Sequence, residues 1–227
     1  MSRIARAALV SGGTREFAEA IETSLRATGW EGMLPSVADD ASTPEDLIAA
    51  AVDRWGRLDL LAAGHTTLRM GPLDEMSVDD WWAVVDGALS RPFRLARAAA
   101  PHLERSGGSI VFLSSEWGTK GLPLGSAFSA GTAGVVGLMR ALARELAPAI
   151  RVNVVSPGAV DSSELEVHAT ALGVSLDEVR DRYSQLALLG RLAGPAEVAA
   201  TVAFLTSDEA RFYTGSVLSP TGGRTRA

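Results

Sequence analysis

The sequence predicts an α/β fold, a parallel sheet with helices on both faces, and two patterns carry that prediction. Uninterrupted apolar runs of strand length, such as Ser109–Ser115, suit strands buried on both sides. They alternate along the chain with segments of helical periodicity, which is the signature of successive βαβ units. A chain of 227 residues suits one such domain, residues 1–227, with a large core.

The elements follow in order. Ile4–Ser11 reads as the first strand, followed by a Gly-containing turn and a helix over Glu16–Thr28. Pro44–Trp55 is a helix with Thr43 as N-cap, and Glu45 and Asp46 complement the dipole in its first turn. Leu58–Ala63 is a short strand, and Val78–Leu103 a long helical stretch interrupted by Pro92. After Ser109–Ser115 comes a small-residue helix, Ala127–Leu146. Its Gly131, Gly134 and Gly137 allow close packing at some cost in helix propensity. Ile150–Ser156 is a strand ended by Pro157-Gly158. Residues 161–190 read as an inserted lid of short helices, Ala196–Leu205 as a helix and Val217–Ser219 as the last strand. Whether residues 29–40 form a strand stays open at this point.

Composition excludes several functions. A net charge of −6 and a pI near 5.1, with scattered basic residues, argue against nucleic-acid binding and against a polybasic membrane patch. Of 21 basic residues only Lys120 is a lysine. The absence of cysteine removes disulfides, thiolate metal sites and a cysteine nucleophile. The three histidines show no metal-ligand spacing, so no metal is expected. Arg3 and Arg6 interrupt the N-terminal stretch Met1–Val10, which reads as a lead-in to a strand and not as a signal peptide. No run approaches about 18 apolar residues. The expected location is the cytoplasm.

Several segments then resemble the short-chain dehydrogenase/reductase family over nearly the whole chain. Ala8–Arg15 is similar to its opening strand and turn, and Gly56–Leu61 to its fourth strand. Ala62-Ala63-Gly64 falls where Asn-Ala-Gly is usual, and Gly108–Ser115 resembles the fifth strand. Arg151–Gly158 resembles the sixth strand and its Pro-Gly turn. Gly190-Arg191-Leu192, Pro195–Val198 and Tyr213-Thr214-Gly215 resemble the C-terminal third. The resemblance implies a Rossmann-like doubly wound parallel sheet, a nicotinamide dinucleotide, and acid–base chemistry at a carbonyl.

The family's dinucleotide turn is only partly present. Gly12 keeps its first glycine, while Glu16 and Ala18 replace the second and third. A carboxylate at Glu16 faces the place of a doubly negative pyrophosphate. At an effective dielectric of about 20, two unit charges about 4 Å apart repel by about 4 kcal/mol, roughly a thousandfold in affinity. The second βα unit is also shortened, since only Gly29–Ser36 separates the first helix from Val37-Ala38-Asp39-Asp40. Val37 falls where the adenine-contacting Asp belongs, and the residue that would bind the ribose has no clear candidate. No cofactor is therefore expected, with NAD(P) as the alternative.

The catalytic positions carry over in the same way. Ser115 keeps the family's Ser. Phe128 stands at the Tyr position, Thr132 at the Lys position and Ala88 at the Asn position. Phe has no proton to give, and Thr no charge to bring a phenol's ordinary pKa of about 10 toward neutrality. His65, Glu116, Lys120, Asp161, Glu164, His168 and Tyr183 are polar residues expected near the same cleft, though a solvated loop position explains each as well. The helices of the family's dimer interface look intact.

The expected function is thus a non-catalytic, structural or regulatory subunit, inactive alone. Its partner would be a second copy or an active subunit of the same family in an oligomeric dehydrogenase/reductase. Two alternatives stay open. One is an atypical NAD(P)-dependent oxidoreductase or non-redox enzyme using relocated groups in the same cleft, the other a small-molecule-binding homodimer.

Overall fold

A computed structural model of the chain describes residues 6–36, 42–64 and 67–224. Six parallel strands form one sheet in the order β2-β1-β3-β4-β5-β6. They are β1 (Ala7–Ser11), β2 (Gly32–Ser36), β3 (Leu60–Ala63), β4 (Ser109–Leu113), β5 (Arg151–Val155) and β6 (Val217–Leu218). The helices between them are α1 (Arg15–Ala27), α2 (Pro44–Trp55), α3 (Val78–Val85), α4 (Arg91–Ser106), α5 (Trp117–Lys120), α6 (Ser126–Glu145), α7 (Glu164–Leu172), α8 (Leu176–Leu186) and α9 (Pro195–Thr206).

The period of two in the strands sorts the core into two layers. Ala8, Val10, Leu60, Ala62, Val111 and Leu113 point to α1 and α9, meeting Ile21, Leu25, Val198 and Val202. Leu9, Leu61, Ala63, Ile110, Phe112 and Val154 point the other way, to Leu47 and Ile48 of α2, Leu95 and Ala99 of α4, and Val135 and Met139 of α6. The helices on both faces explain why these strands read as continuous apolar runs.

Residues 29–40, left open by the sequence, contain β2, which pairs with β1 in register Ala7↔Gly32 to Ser11↔Ser36. Among the described residues the sheet ends there, so the shortened unit keeps its strand and lacks the one after it. From β2 the chain crosses back to β3 on the far side of β1. Strand order therefore reverses between β1 and β3, and a crevice opens at the carboxyl ends of such a pair.

Two differences from the sequence reading have local causes. The stretch from Val78 continues to Ser106 but widens into a π-turn over Asp86–Ser90. Pro92, at the start of α4, cannot donate to Ala88, and a wider turn accommodates the missing bond. Residues 161–190 fold into the antiparallel pair α7 and α8, closed by the left-handed Gly173. Helix α6 is long and apolar enough to cross a membrane, yet its face Phe128–Thr132–Val135–Met139 is buried against the rest of the fold.

That burial needs glycine. A Cβ placed on Gly131 would lie 2.7 Å from the Ala88 Cβ in the π-turn. Gly131→Ala is expected to lose about 1–3 kcal/mol of unfolding free energy in a denaturant titration, as overpacked sites do. An unchanged midpoint would show that α6 shifts without cost.

Candidate active site

The crevice begins at the end of β1. Gly12 and Gly13 take φ values of 83° and 78°, which L side chains rarely adopt, and so bend the chain sharply into α1. Thr14 caps the helix, its hydroxyl accepting from the Phe17 N–H at 3.4 Å. The first-turn amides of α1 thus face the crevice, an arrangement suited to a phosphate group. Ser11 Oγ, buried at the same turn, has no hydrogen-bond partner among the described residues. Ala18 is buried in the layer beneath α1 with Ile21 and Val198.

Glu16 already supplies an anion there. Its own backbone N–H and the Thr14 hydroxyl hold the carboxyl below its ordinary range, so it is ionised near neutrality. It also accepts from Ser163 Oγ at 3.4 Å, beside the start of α7. The side chain is exposed and this outer tie is long. Solvent screening then brings its repulsion of a second anion down to about 1 kcal/mol at about 4 Å, the value for a water-like dielectric. That is roughly fivefold in affinity, not a thousandfold, and rotation of the side chain removes it. The turn therefore fits a pyrophosphate once Glu16 swings outward.

The positions matching the family's catalytic residues lie together beyond β4, and the structure shows how each is filled. Phe128 is buried with Val84, Val85, Leu122 and Ala127. Thr132 donates to the Phe128 carbonyl at 2.7 Å, and its own carbonyl accepts from Ser114 Oγ at 2.8 Å. Gly118 of α5 lies directly on Thr132 and Ala133. A Cβ there would come within 2.7 Å of the Ala133 nitrogen, so only glycine fits at 118. Ala88 sits in the π-turn against Gly131. Ser115 lines the crevice and accepts from the Trp117 N–H at 3.3 Å.

Across from Ser115 and Phe128, α7 and α8 contribute His168 and Tyr183, which line the same crevice. His168 Nδ1 and the Tyr183 hydroxyl are 2.8 Å apart, and both residues are buried. Burial pushes the His168 imidazole down, opposed by Glu164 and helped by Arg224. Burial pushes the Tyr183 phenol up, while Arg224 draws it down. The Arg224 guanidinium stacks 4.3 Å from the Trp117 ring centre and 5.1 Å from that of Tyr183. It pairs with Glu116 at 2.9 Å, both side chains lying out of solvent.

Of the other polar residues expected here, Lys120 Nζ donates to the Arg224 carbonyl, and Asp161 pairs with Arg180 at 3.0 Å. Glu164 lines the crevice. His65 and Val37–Asp40 lie outside the described residues. Arg224 and Trp117 went unmarked in the sequence. Arg224 follows the Gly222-Gly223 turn and meets Glu116 from more than a hundred residues away, so no spacing announces it.

The comparisons with known proteins agree with one another. The family model described as "Enoyl-(Acyl carrier protein) reductase" matches residues 5–225. The chain is 34% identical over 227 residues to the "Monensin polyketide synthase putative ketoacyl reductase" of Streptomyces virginiae, covering 95% of this chain and 87% of the relative. It is 32% identical over 214 residues to 3-oxoacyl-(acyl-carrier-protein) reductase FabG of Staphylococcus aureus, covering 93% and 84%. To cis-4-hydroxycyclohexanecarboxylate dehydrogenase of Sinomonas cyclohexanicum it is 36% identical over 226 residues, covering 96% and 87%. Among solved structures, ligand-free aldohexose dehydrogenase of Thermoplasma acidophilum superposes with a TM-score of 0.90 over 99% of this chain and 96% of that one. At 23% identity it speaks to the fold.

These findings correct two expectations. The reading as a non-catalytic subunit is overturned, because relatives matching nearly the full length are reductases and dehydrogenases. The expectation of no cofactor falls with it, since that chemistry points to a nucleotide cofactor. Both expectations weighed the replaced side chains and missed the retained backbone. The left-handed turn, the helix N-terminus and the unpartnered Ser11 hydroxyl survive changes at positions 16 and 18.

The crevice wall should respond to pH. His168 is depressed from 6.5, so its contribution to stability is present above about pH 6.5 and lost as pH falls through the folded value. The thermal midpoint should drop between about pH 7.5 and about pH 5.5, and drop less in His168→Phe. Equal slopes in the two proteins would contradict this.

Proposed function

This chain belongs to the short-chain dehydrogenase/reductase family, and we propose that it interconverts a carbonyl and a hydroxyl group with a nicotinamide dinucleotide in the crevice beside Ser115. The observation that carries this reading is the crevice itself. It joins a phosphate-type turn at Gly12-Gly13 to a wall of exchangeable protons at Ser115, Tyr183 and His168. When bound, the dinucleotide supplies or accepts the hydride.

The chain's own residues do the rest. The Gly12-Gly13 turn and the first amides of α1 would hold the pyrophosphate, with Glu16 displaced toward solvent. Ser115 lies where its hydroxyl can donate to a substrate oxygen and polarise the carbonyl. Phe128, Trp117 and Leu165 give the crevice an apolar lining that favours a substrate with hydrocarbon on at least one side of the carbonyl. The relatives' names suggest two compounds to try, a 3-oxoacyl thioester and a cyclic oxo-acid. We place the protein in the cytoplasm as a homo-oligomer. Trp82 of α3 and Phe93 of α4, half exposed on the outer surface, are the residues we expect a second copy to cover.

The test is oxidation of NADH or NADPH by the purified chain with these two compounds. Turnover above the protein-free rate is expected, falling roughly a hundredfold to a thousandfold in Ser115→Ala, the scale for losing one donor to a developing oxyanion. Absence of turnover with either compound and either nucleotide would overturn the proposal.

A further inference from the structure

In this family the proton comes from a tyrosine, yet Phe128 fills that position. The chain has two tyrosines, and they lie at opposite ends of the sheet. Tyr213 packs against Phe204, and its carbonyl accepts from Arg151 and Asn153 near the amino end of β5. Tyr183 reaches the crevice at the carboxyl ends, where it shares the lining with Ser115 and Phe128. A phenol is thus still present in the crevice, on the wall opposite its usual helix.

Two features go beyond what packing requires. A phenol needs positive charge or strong donors nearby to give up a proton near neutrality. The Arg224 guanidinium lies 5.1 Å from the Tyr183 ring centre and is itself shielded from water. His168 Nδ1 lies 2.8 Å from the phenol oxygen, and burial keeps the imidazole neutral near pH 7. With its hydrogen on Nδ1, His168 donates to the phenol oxygen and leaves the Tyr183 O–H free to point elsewhere. Helix α7 thus brings to the phenol the donor that uncharged Thr132, whose hydroxyl bonds its own helix, does not supply.

Resting on the oxidoreductase reading above, we propose that Tyr183 is the proton donor of this enzyme and that His168 and Arg224 position and polarise it. In the reducing direction the carbonyl carbon receives hydride, with its electron pair, from the reduced dinucleotide. The C=O π pair moves onto oxygen, and that oxygen takes the Tyr183 proton. The resulting phenolate is held by the His168 N–H and the Arg224 charge until it regains a proton from water. In the oxidising direction each transfer reverses. The charged groups facing the phenol are Arg224 from the C-terminal segment, Glu116 from the loop after β4, Glu164 beside His168 on α7, and Arg182 on its own helix. Glu116 is paired with Arg224.

The experiment compares wild type with Tyr183→Phe, and follows the phenol directly by ultraviolet absorbance titration in a Tyr213→Phe background. In Tyr183→Phe, kcat should fall about a hundredfold to a thousandfold, in the range of a lost general acid. KM and nucleotide affinity should stay close to wild type, and the thermal midpoint should fall only modestly, by the loss of the His168 contact. In His168→Phe, which removes the donor, the phenol should titrate at higher pH, and the alkaline limb of kcat for reduction should move up with it, because reduction needs the protonated phenol. An active wild type with an equally active Tyr183→Phe would overturn this inference and leave the oxidoreductase reading standing. An inactive wild type would overturn both. A His168→Phe protein whose titration and alkaline limb both stay in place would show His168 to be packing only.

Discussion

Helix α6 packs closely on the π-turn through Gly131 and on α5 through Gly118, and the crevice wall is built on those two contacts. Gly131 leaves no room for a Cβ against Ala88, and Gly118 leaves none against Thr132 and Ala133. Phe128, on α6, completes an apolar cluster with Val84, Val85 and Leu122. Thr132 satisfies its hydroxyl on its own helix, and Ser114 satisfies its hydroxyl on the Thr132 carbonyl, so the tightened contact leaves neither group unpaired.

With that wall closed to chemistry, polar groups gather on the other. The Arg224–Glu116 pair, with Trp117 and Tyr183 stacked under the guanidinium, ties the C-terminal segment and the loop after β4 to α8. A buried ion pair of this kind is costly to break from one side, about 3–5 kcal/mol, because the partner's charge is left in an apolar setting. The pair holds the guanidinium 5.1 Å from the Tyr183 ring centre. The fold is that of its relatives, and the polar groups lining the crevice come in part from α7 and α8.

Much of this was legible in the sequence, for physical reasons. Strands buried on both faces must be largely apolar, so Ile110–Leu113 stands out, and Val152–Val155 does so despite Asn153, whose amide bonds Tyr213 and Ser216. Helix α2 announces its ends by Thr43, Pro44 and the left-handed Gly56, and its bounds agree to the residue. Ser115 and Gly12, which lie at strand ends, were placed from the sequence, and the structure puts Ser115 on the crevice and Gly12 in the left-handed turn. Other features were not. Strand β2 is five residues containing Gly32 and Pro35, without the apolar run that marks the others. The Arg224–Glu116 and His168–Tyr183 contacts join residues distant in sequence, through tertiary packing that no periodicity encodes. Glu16 misled for a different reason. Its charge is legible, but its exposure, which sets how strongly that charge acts, belongs to the fold.

The most direct test of the account is calorimetric titration of the chain, and of Glu16→Gly, with NADH and with NADPH. The account predicts saturable binding of at least one nucleotide to the wild-type chain and binding roughly fivefold tighter in the variant, the factor expected of a solvent-screened carboxylate at the pyrophosphate turn. No saturable binding to either protein, at millimolar nucleotide, would contradict the claim that this crevice serves a dinucleotide.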